Sequence, residues 1–88
     1  MKRYEVRLTL SAQRQLRKLP HDVVARLRPV LLALADDPRP AGVVKLSDTD
    51  NAWRVRVGDY RIIYEIHDKV LLVLVVDMAH RREAYRKR

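Results

Sequence analysis

The spacing of apolar residues changes along the chain, and each change predicts an element. Tyr4, Val6 and Leu8 alternate with Glu5 and Arg7, the period-two pattern of a short half-buried strand. From Ala12 the period lengthens. Ala12, Leu16 and Leu19 fall at i, i+4 and i+7, one face of a helix that Thr9 or Ser11 can cap, with Arg14, Arg17 and Lys18 on its wet side. Pro20-His21-Asp22 predicts a turn, with Asp22 as the N-cap of a second helix. Val23, Leu27, Val30, Leu31 and Leu34 carry that helix until Asp36-Asp37-Pro38 stops it. Pro29 stands inside it. A proline there lacks the N–H and clashes with the carbonyl four residues back, at roughly 3 kcal/mol, which predicts a kink near Ala25 or a helix broken in two. Residues 38–52, with Pro40, Gly42, Ser47, Asp48, Asp50 and Asn51, read mostly as loop.

At Trp53 the period returns to two. Trp53, Val55 and Val57 point one way, and Arg54 and Arg56 the other. Gly58-Asp59 suits a two-residue hairpin turn with glycine in the first central position. That turn pairs Val57 with Tyr60, Arg56 with Arg61, Val55 with Ile62 and Arg54 with Ile63. His67-Asp68-Lys69 makes the next turn, and the unbroken apolar run from Val70 to Val76 predicts a central strand covered on both faces. The order is β-α-α-β-β-β. It predicts an α+β fold: a small antiparallel-rich sheet with the N-terminal helical hairpin packed on one face, a single domain over residues 1–88.

Composition narrows the function. Lys+Arg 19 against Asp+Glu 11 gives a formal charge of +8 and a sequence pI near 10.4 in 88 residues. Domains this basic usually meet a polyanion or an acidic protein. The chain has no cysteine, so disulfides, thiol nucleophiles and Cys-based zinc sites are excluded. His21, His67 and His80 are too scattered for helical metal-ligand spacing, so neither a metal nor another cofactor is expected. No apolar run approaches the roughly 20 residues a membrane span needs, and Glu5 and Arg7 interrupt any signal-peptide core. A soluble, cytoplasmic domain without a membrane partner is the expectation.

The predicted hairpin register places Arg54, Arg56 and Arg61 on one sheet face, opposite the apolar face that meets the helices. Like charges directly opposed in a sheet are destabilising, so stability alone would not set Arg56 against Arg61. A cluster of guanidinium groups suits phosphate, which it binds bidentately. The blander alternative is that Glu65, on the same face, and Asp59 neutralise these arginines as surface ion pairs worth about 0–1 kcal/mol. Two groups near the cluster are candidates for proton transfer. His80 carries an imidazole, a group that titrates near neutrality. Tyr85 offers a hydroxyl for a leaving oxygen and a ring on which a base stacks. Trp53, Tyr60 and Tyr85, interleaved with cations, suit RNA contact.

Taken together, WRVRVGDYRIIYEI (53–66) and VLLVLVVDMAHRREAYR (70–86) resemble the RelE/ParE superfamily of type II toxin–antitoxin toxins, and the RelE branch more closely. The resemblance covers nearly the whole chain. It implies a ribosome-dependent endoribonuclease that enters the A site and cuts mRNA without a metal, the ribose 2′-hydroxyl attacking the adjacent phosphate. It assigns the site to Arg54 and Arg56 on the strand after the loop, to Arg61 on the next strand, and to Arg81 and Tyr85 at the C-terminal end, with His80 beside them. Better-known RelE-type sites carry lysines where this chain has Arg54 and Arg56. Arginine is effectively always protonated and is no base, so proton transfer falls to His80, to Tyr85, or to charge and geometry alone. The partners implied are the ribosome with its mRNA and a cognate acidic antitoxin. A ParE-like toxin that inhibits gyrase without catalysis is the alternative, and a non-toxic RNA-binding member is a third.

Overall fold

The computed structural model describes residues 3–46 and 51–80 of the chain. Among them the order is β1 (Glu5–Leu8), α1 (Leu10–Lys18), α2 (His21–Ala33), β2 (Val44–Lys45), β3 (Ala52–Val57), β4 (Tyr60–His67) and β5 (Leu72–His80). The described strands form one five-stranded sheet in the order β1-β5-β4-β3-β2. Only the β1–β5 pairing is parallel among them. The α+β class, the antiparallel-rich sheet and the helical hairpin on one face are as the apolar pattern predicts.

Local chemistry explains the helix ends. Thr9 caps α1, its hydroxyl accepting from the Ala12 N–H at 3.1 Å. The second cap differs from expectation. Helix α2 begins at His21, two residues early, with Pro20 rather than Asp22 in the N-cap position and no side-chain cap. The Pro20 carbonyl accepts from the Val23 and Val24 N–H groups instead, and Asp22 sits in the first turn, where its charge favours the positive helix end. Pro29 does not break the helix, which runs unbroken from His21 to Ala33. Both Pro29 and Ala25 are exposed, so water can reach the Ala25 carbonyl that loses its N–H partner.

The β3–β4 hairpin has the predicted register, from Val57↔Tyr60 to Arg54↔Ile63. Gly58 has φ +61 and Asp59 is not left-handed, which matches a turn with glycine in the first central position. Within the stretch read as loop, Val44 and Lys45 add a short edge strand against Arg54 and Trp53. The last strand starts later than its apolar run suggests. Asp68–Val70 form a 3₁₀ turn, and Leu71 is left-handed at φ 53 before β5 begins at Leu72. Strand β5 has neighbours on both sides, but it is not fully covered on both faces. Val73 and Val75 are buried, whereas Leu72, Leu74 and Val76 are half-buried.

Two features of β5 position the site. Ile63 pairs with Asp77 and Tyr64 with Val75, so Val76 is the extra residue of a β-bulge, and the facing of every later β5 residue is reversed. Strand β1 ends opposite Val75, leaving the β5 edge beyond it to α1. There Gln15 donates from Nε2 to the Asp77 carboxylate and accepts from the Met78 N–H, both at 2.8 Å. One amide thus continues the sheet edge where β1 stops. Beneath the helices lies the core, in which Ala12, Leu27 and Leu34 meet Ile62, Tyr64, Ile66, Val73, Val75 and Met78.

Candidate functional site

Alternation along β4 sends Tyr60, Ile62, Tyr64 and Ile66 into the helix-facing core and Arg61, Ile63, Glu65 and His67 to the other face. The β3 register adds Arg56 opposite Arg61, Arg54 opposite Ile63 and Ala52 opposite Glu65. The three arginines therefore share one face. Their exposure is unequal, contrary to the picture of an open cluster: Arg56 is exposed, Arg54 half-buried and Arg61 only 5% exposed. Arg61 is a positioned side chain whose conformational freedom has already been spent in folding.

Glu65 does not neutralise the arginines. Its Oε1 lies 2.9 Å from His67 Nε2. Among the described residues no carboxylate comes within 4.0 Å of Arg54 or Arg56. A phosphate approaching this face meets the Arg54 and Arg56 guanidinium groups, which no described carboxylate engages.

His80 is separated from this set. It pairs with Tyr60, and their rings meet edge-on on the helix side, with centroids 5.4 Å apart and planes at 79°. Both line a cleft of about 430 Å³ with Gln15, Lys18, Leu19 and Met78. The Val76 bulge accounts for the difference. Without it, strict alternation would have turned His80 to the arginine face. Trp53 and Tyr60 also pack against the core rather than joining the arginines. Arg81 and Tyr85 lie outside the described residues.

Sequence reading missed a second polar assembly at the far end of the sheet. Arg39 binds Asp68 through both terminal nitrogens, at 3.2 and 2.8 Å, and Tyr4 Oη donates to the same carboxylate. The Arg39 guanidinium also lies 5.2 Å from the centre of the Trp53 ring, and the Lys45 ammonium lies 5.9 Å from it. Donation to Asp68 raises the Tyr4 phenol above its ordinary pKa, and the same carboxylate raises that of Arg39. Below the ring, Tyr64 Oη donates to the Pro38 carbonyl at 2.7 Å, and burial pushes its pKa up to about 12. Residue spacing gave no sign of these links, because Arg39 and Asp68 come from two separate turns. Among the described residues no group of three or more His, Asp or Glu side chains is placed to hold a metal. None of the described helices is long and apolar enough to cross a membrane.

A helical hairpin on one face of a five-stranded sheet and an arginine-lined opposite face define a small basic α+β domain of the kind that meets a polyanion, and comparison with known proteins gives its family. Residues 6–85 match the family model described as the ParE toxin of type II toxin–antitoxin system, parDE. The chain is 32% identical over 87 residues to Toxin RelG of Mycobacterium tuberculosis, covering 96% of this chain and 98% of that one. It superposes with a TM-score of 0.79 on the archaeal RelE–RelB complex from Pyrococcus horikoshii, at 28% identity over 89% of this chain and 94% of that one. The RelBE2 toxin–antitoxin complex of M. tuberculosis gives the same TM-score at 29% identity, over 91% and 93%. The chain belongs to the RelE/ParE superfamily, in its RelE-like branch, and is a toxin of a type II toxin–antitoxin system.

Proposed function

We propose that this toxin is a metal-independent endoribonuclease that cuts mRNA in the ribosomal A site and so inhibits translation. The observation that supports it most directly is the shared face of Arg54, Arg56 and Arg61, with no described carboxylate within 4.0 Å of the first two. In this reading Arg54 and Arg56 stabilise charge on the pentacovalent phosphorus by electrostatics, and Arg61 fixes the phosphate from its buried position. Arg81 and Tyr85 complete the set by resemblance to the RelE branch, the Tyr85 hydroxyl positioning the leaving oxygen while water supplies its proton. His80, across the sheet, is the weaker proton-transfer candidate. The nucleophile is internal to the substrate, so the reaction calls for no metal or cofactor. The relatives' complexes with RelB extend by proposal to a cognate acidic antitoxin here, whose association with a +8 chain slows as salt rises. A cytoplasmic location follows from the ribosomal target.

The family-model match to ParE toxins favours a second reading, inhibition of DNA gyrase by protein contact without catalysis, since fold does not fix function. One experiment separates the two. Purified toxin is added to programmed ribosomes carrying labelled mRNA, to the same mRNA free, and to gyrase with supercoiled DNA. Cleavage confined to ribosome-bound mRNA, leaving 2′,3′-cyclic phosphate ends, is the expected result. Equal rates on free and bound mRNA would refute ribosome dependence. Intact mRNA with inhibited gyrase would establish the second reading.

A further inference from the structure

The proposed reaction needs a group to remove the 2′-hydroxyl proton, and arginines do not supply one. His80 faces the helices. The described charged or titratable groups on the arginine face are Glu5 and Arg7 of β1, Arg54 and Arg56 of β3, and Arg61, Glu65 and His67 of β4. Asp77, at the bulge, is engaged by Gln15. Glu5 is engaged by Arg7 at 2.7 Å and lies beyond β5 from the arginine set. Among the described groups that leaves the Glu65–His67 pair, joined at 2.9 Å with side chains 38% and 35% exposed, open to a substrate yet held by each other.

The register sets their distance from the arginines. Arg54 is opposite Ile63, so its two diagonal neighbours on β4 are Arg61 and Glu65, each roughly 7–8 Å away between backbones and within reach of long side chains. Opposite Glu65 on β3 is Ala52, and on β5 Leu74. Neither brings a charge to the carboxylate. A phosphate held from Arg54 thus has guanidinium groups on one side and a carboxylate on the other.

We propose that Glu65 is the general base of this toxin and that His67 is its positioning residue. The inference rests on the endoribonuclease reading. The Glu65 carboxylate takes the proton of the ribose 2′-hydroxyl as the 2′-oxygen bonds to phosphorus. The phosphorus–5′-oxygen bond breaks, and the leaving 5′-oxygen takes a proton from water. The hydroxide so formed is neutralised by the proton that Glu65 gives back, leaving a 2′,3′-cyclic phosphate and a 5′-hydroxyl. His67, hydrogen-bonded to Oε1, aims the carboxylate and passes its proton outward.

The test is single-turnover cleavage on programmed ribosomes across the pH range, with wild type, Glu65→Gln, Glu65→Asp, His67→Gln and, as a same-face control, Glu5→Gln. Thermal melting is followed for each protein. Glu65→Gln should lower the rate by about 10²–10⁴-fold, the range for general acid–base catalysis, and abolish the fall in rate toward acid pH that protonation of a base imposes. Glu65→Asp should recover part of the rate, His67→Gln should lose less and displace the acid limb, and Glu5→Gln should stay within about threefold of wild type. A substrate with sulfur at the 5′-bridging position needs no proton on its leaving group. The Glu65→Gln defect should persist on it, and its disappearance would make Glu65 an acid and overturn the assignment. Glu65→Gln cleaving at the wild-type rate with an unchanged pH profile would overturn it too, while leaving the endoribonuclease reading intact. If wild type itself cuts no ribosome-bound mRNA, that reading fails and the assignment falls with it.

Discussion

Tyr64 lies at the centre of the molecule, and removing its hydroxyl gives a prediction with two separable parts. The ring is 0% exposed, on the middle strand, between Trp53 of β3 and Val75 of β5. Its hydroxyl donates to the Pro38 carbonyl at 2.7 Å, tying the chain that leaves α2 to the sheet. Tyr64→Phe keeps the ring and strands a buried carbonyl, at about 1–3 kcal/mol. The second part depends on pH. Burial holds the native hydroxyl at a pKa of about 12, whereas an unfolded tyrosine ionises near 10. Between those values the unfolded chain has lost a proton that the native chain keeps. Stability therefore falls as pH rises, by about 1.4 kcal/mol per unit and about 2.7 kcal/mol across the window, and is unaffected below it. Phenylalanine has no proton to lose. At pH 8 wild type should be the more stable by about 1–3 kcal/mol, and by pH 11.5 most of that gap should have closed. Lysines titrate over the same range in both proteins and largely cancel in the difference. Urea denaturation followed by the fluorescence of Trp53, the single tryptophan, measures both parts. A gap as wide at pH 11.5 as at pH 8 would refute the account of the buried hydroxyl.

Other perturbations test the site and its supports. Arg56→Ala removes an exposed cation set opposite buried Arg61. Melting temperature should hold or rise as like-charge repulsion is relieved, while ribosome-dependent cleavage falls by roughly 10²-fold; a large loss of stability would instead mark Arg56 as structural. Gln15→Leu strips the Asp77 carboxylate and the Met78 N–H of their shared partner and should cost about 1–3 kcal/mol in urea denaturation. Pro29→Ala restores an N–H to an unbroken helix at an exposed position and should raise stability, by up to about 3 kcal/mol. An unchanged midpoint would show that α2 had already absorbed the proline without cost.

The elements that were legible in the sequence are those fixed by short-range chemistry. Glycine at 58 followed by Asp59 sets a two-residue turn, and that turn fixes every pairing of β3 with β4. The helical hairpin follows from the spacing of Ala12, Val23, Leu27 and Leu31, all buried as the period requires. Features settled by tertiary context were not legible. Val44 and Lys45 pair only because β3 presents an edge beside them. Leu71 takes a left-handed conformation that costs an L-residue roughly 1–2 kcal/mol, and nothing in the run Val70–Val76 announces it. The bulge at Val76 had the largest consequence. An apolar run carries no mark of an inserted residue, and this one turns His80 to the side of the sheet opposite the arginines.

Because side-chain direction alternates strictly along β4, the core and the site are two readings of one register. The set that buries Ile62, Tyr64 and Ile66 under the helices requires Arg61, Glu65 and His67 to share the other face. A one-residue slip would drive all three polar side chains into the core and expose Tyr64. The arginine face is therefore specified by the most strongly buried part of the molecule rather than by loops that drift independently of it. Strand β5 is the exception, because its bulge separates the facing of Val73 and Val75 from simple alternation at Asp77 through His80. Gln15 is bonded on both of its polar atoms at that point. The facing of the last strand's end thus depends on a side chain from α1 as well as on the sheet. A substitution at Gln15 that loosens the bulge should disturb His80 before it disturbs Arg54 or Arg56, whose register is set by the β3–β4 pairing.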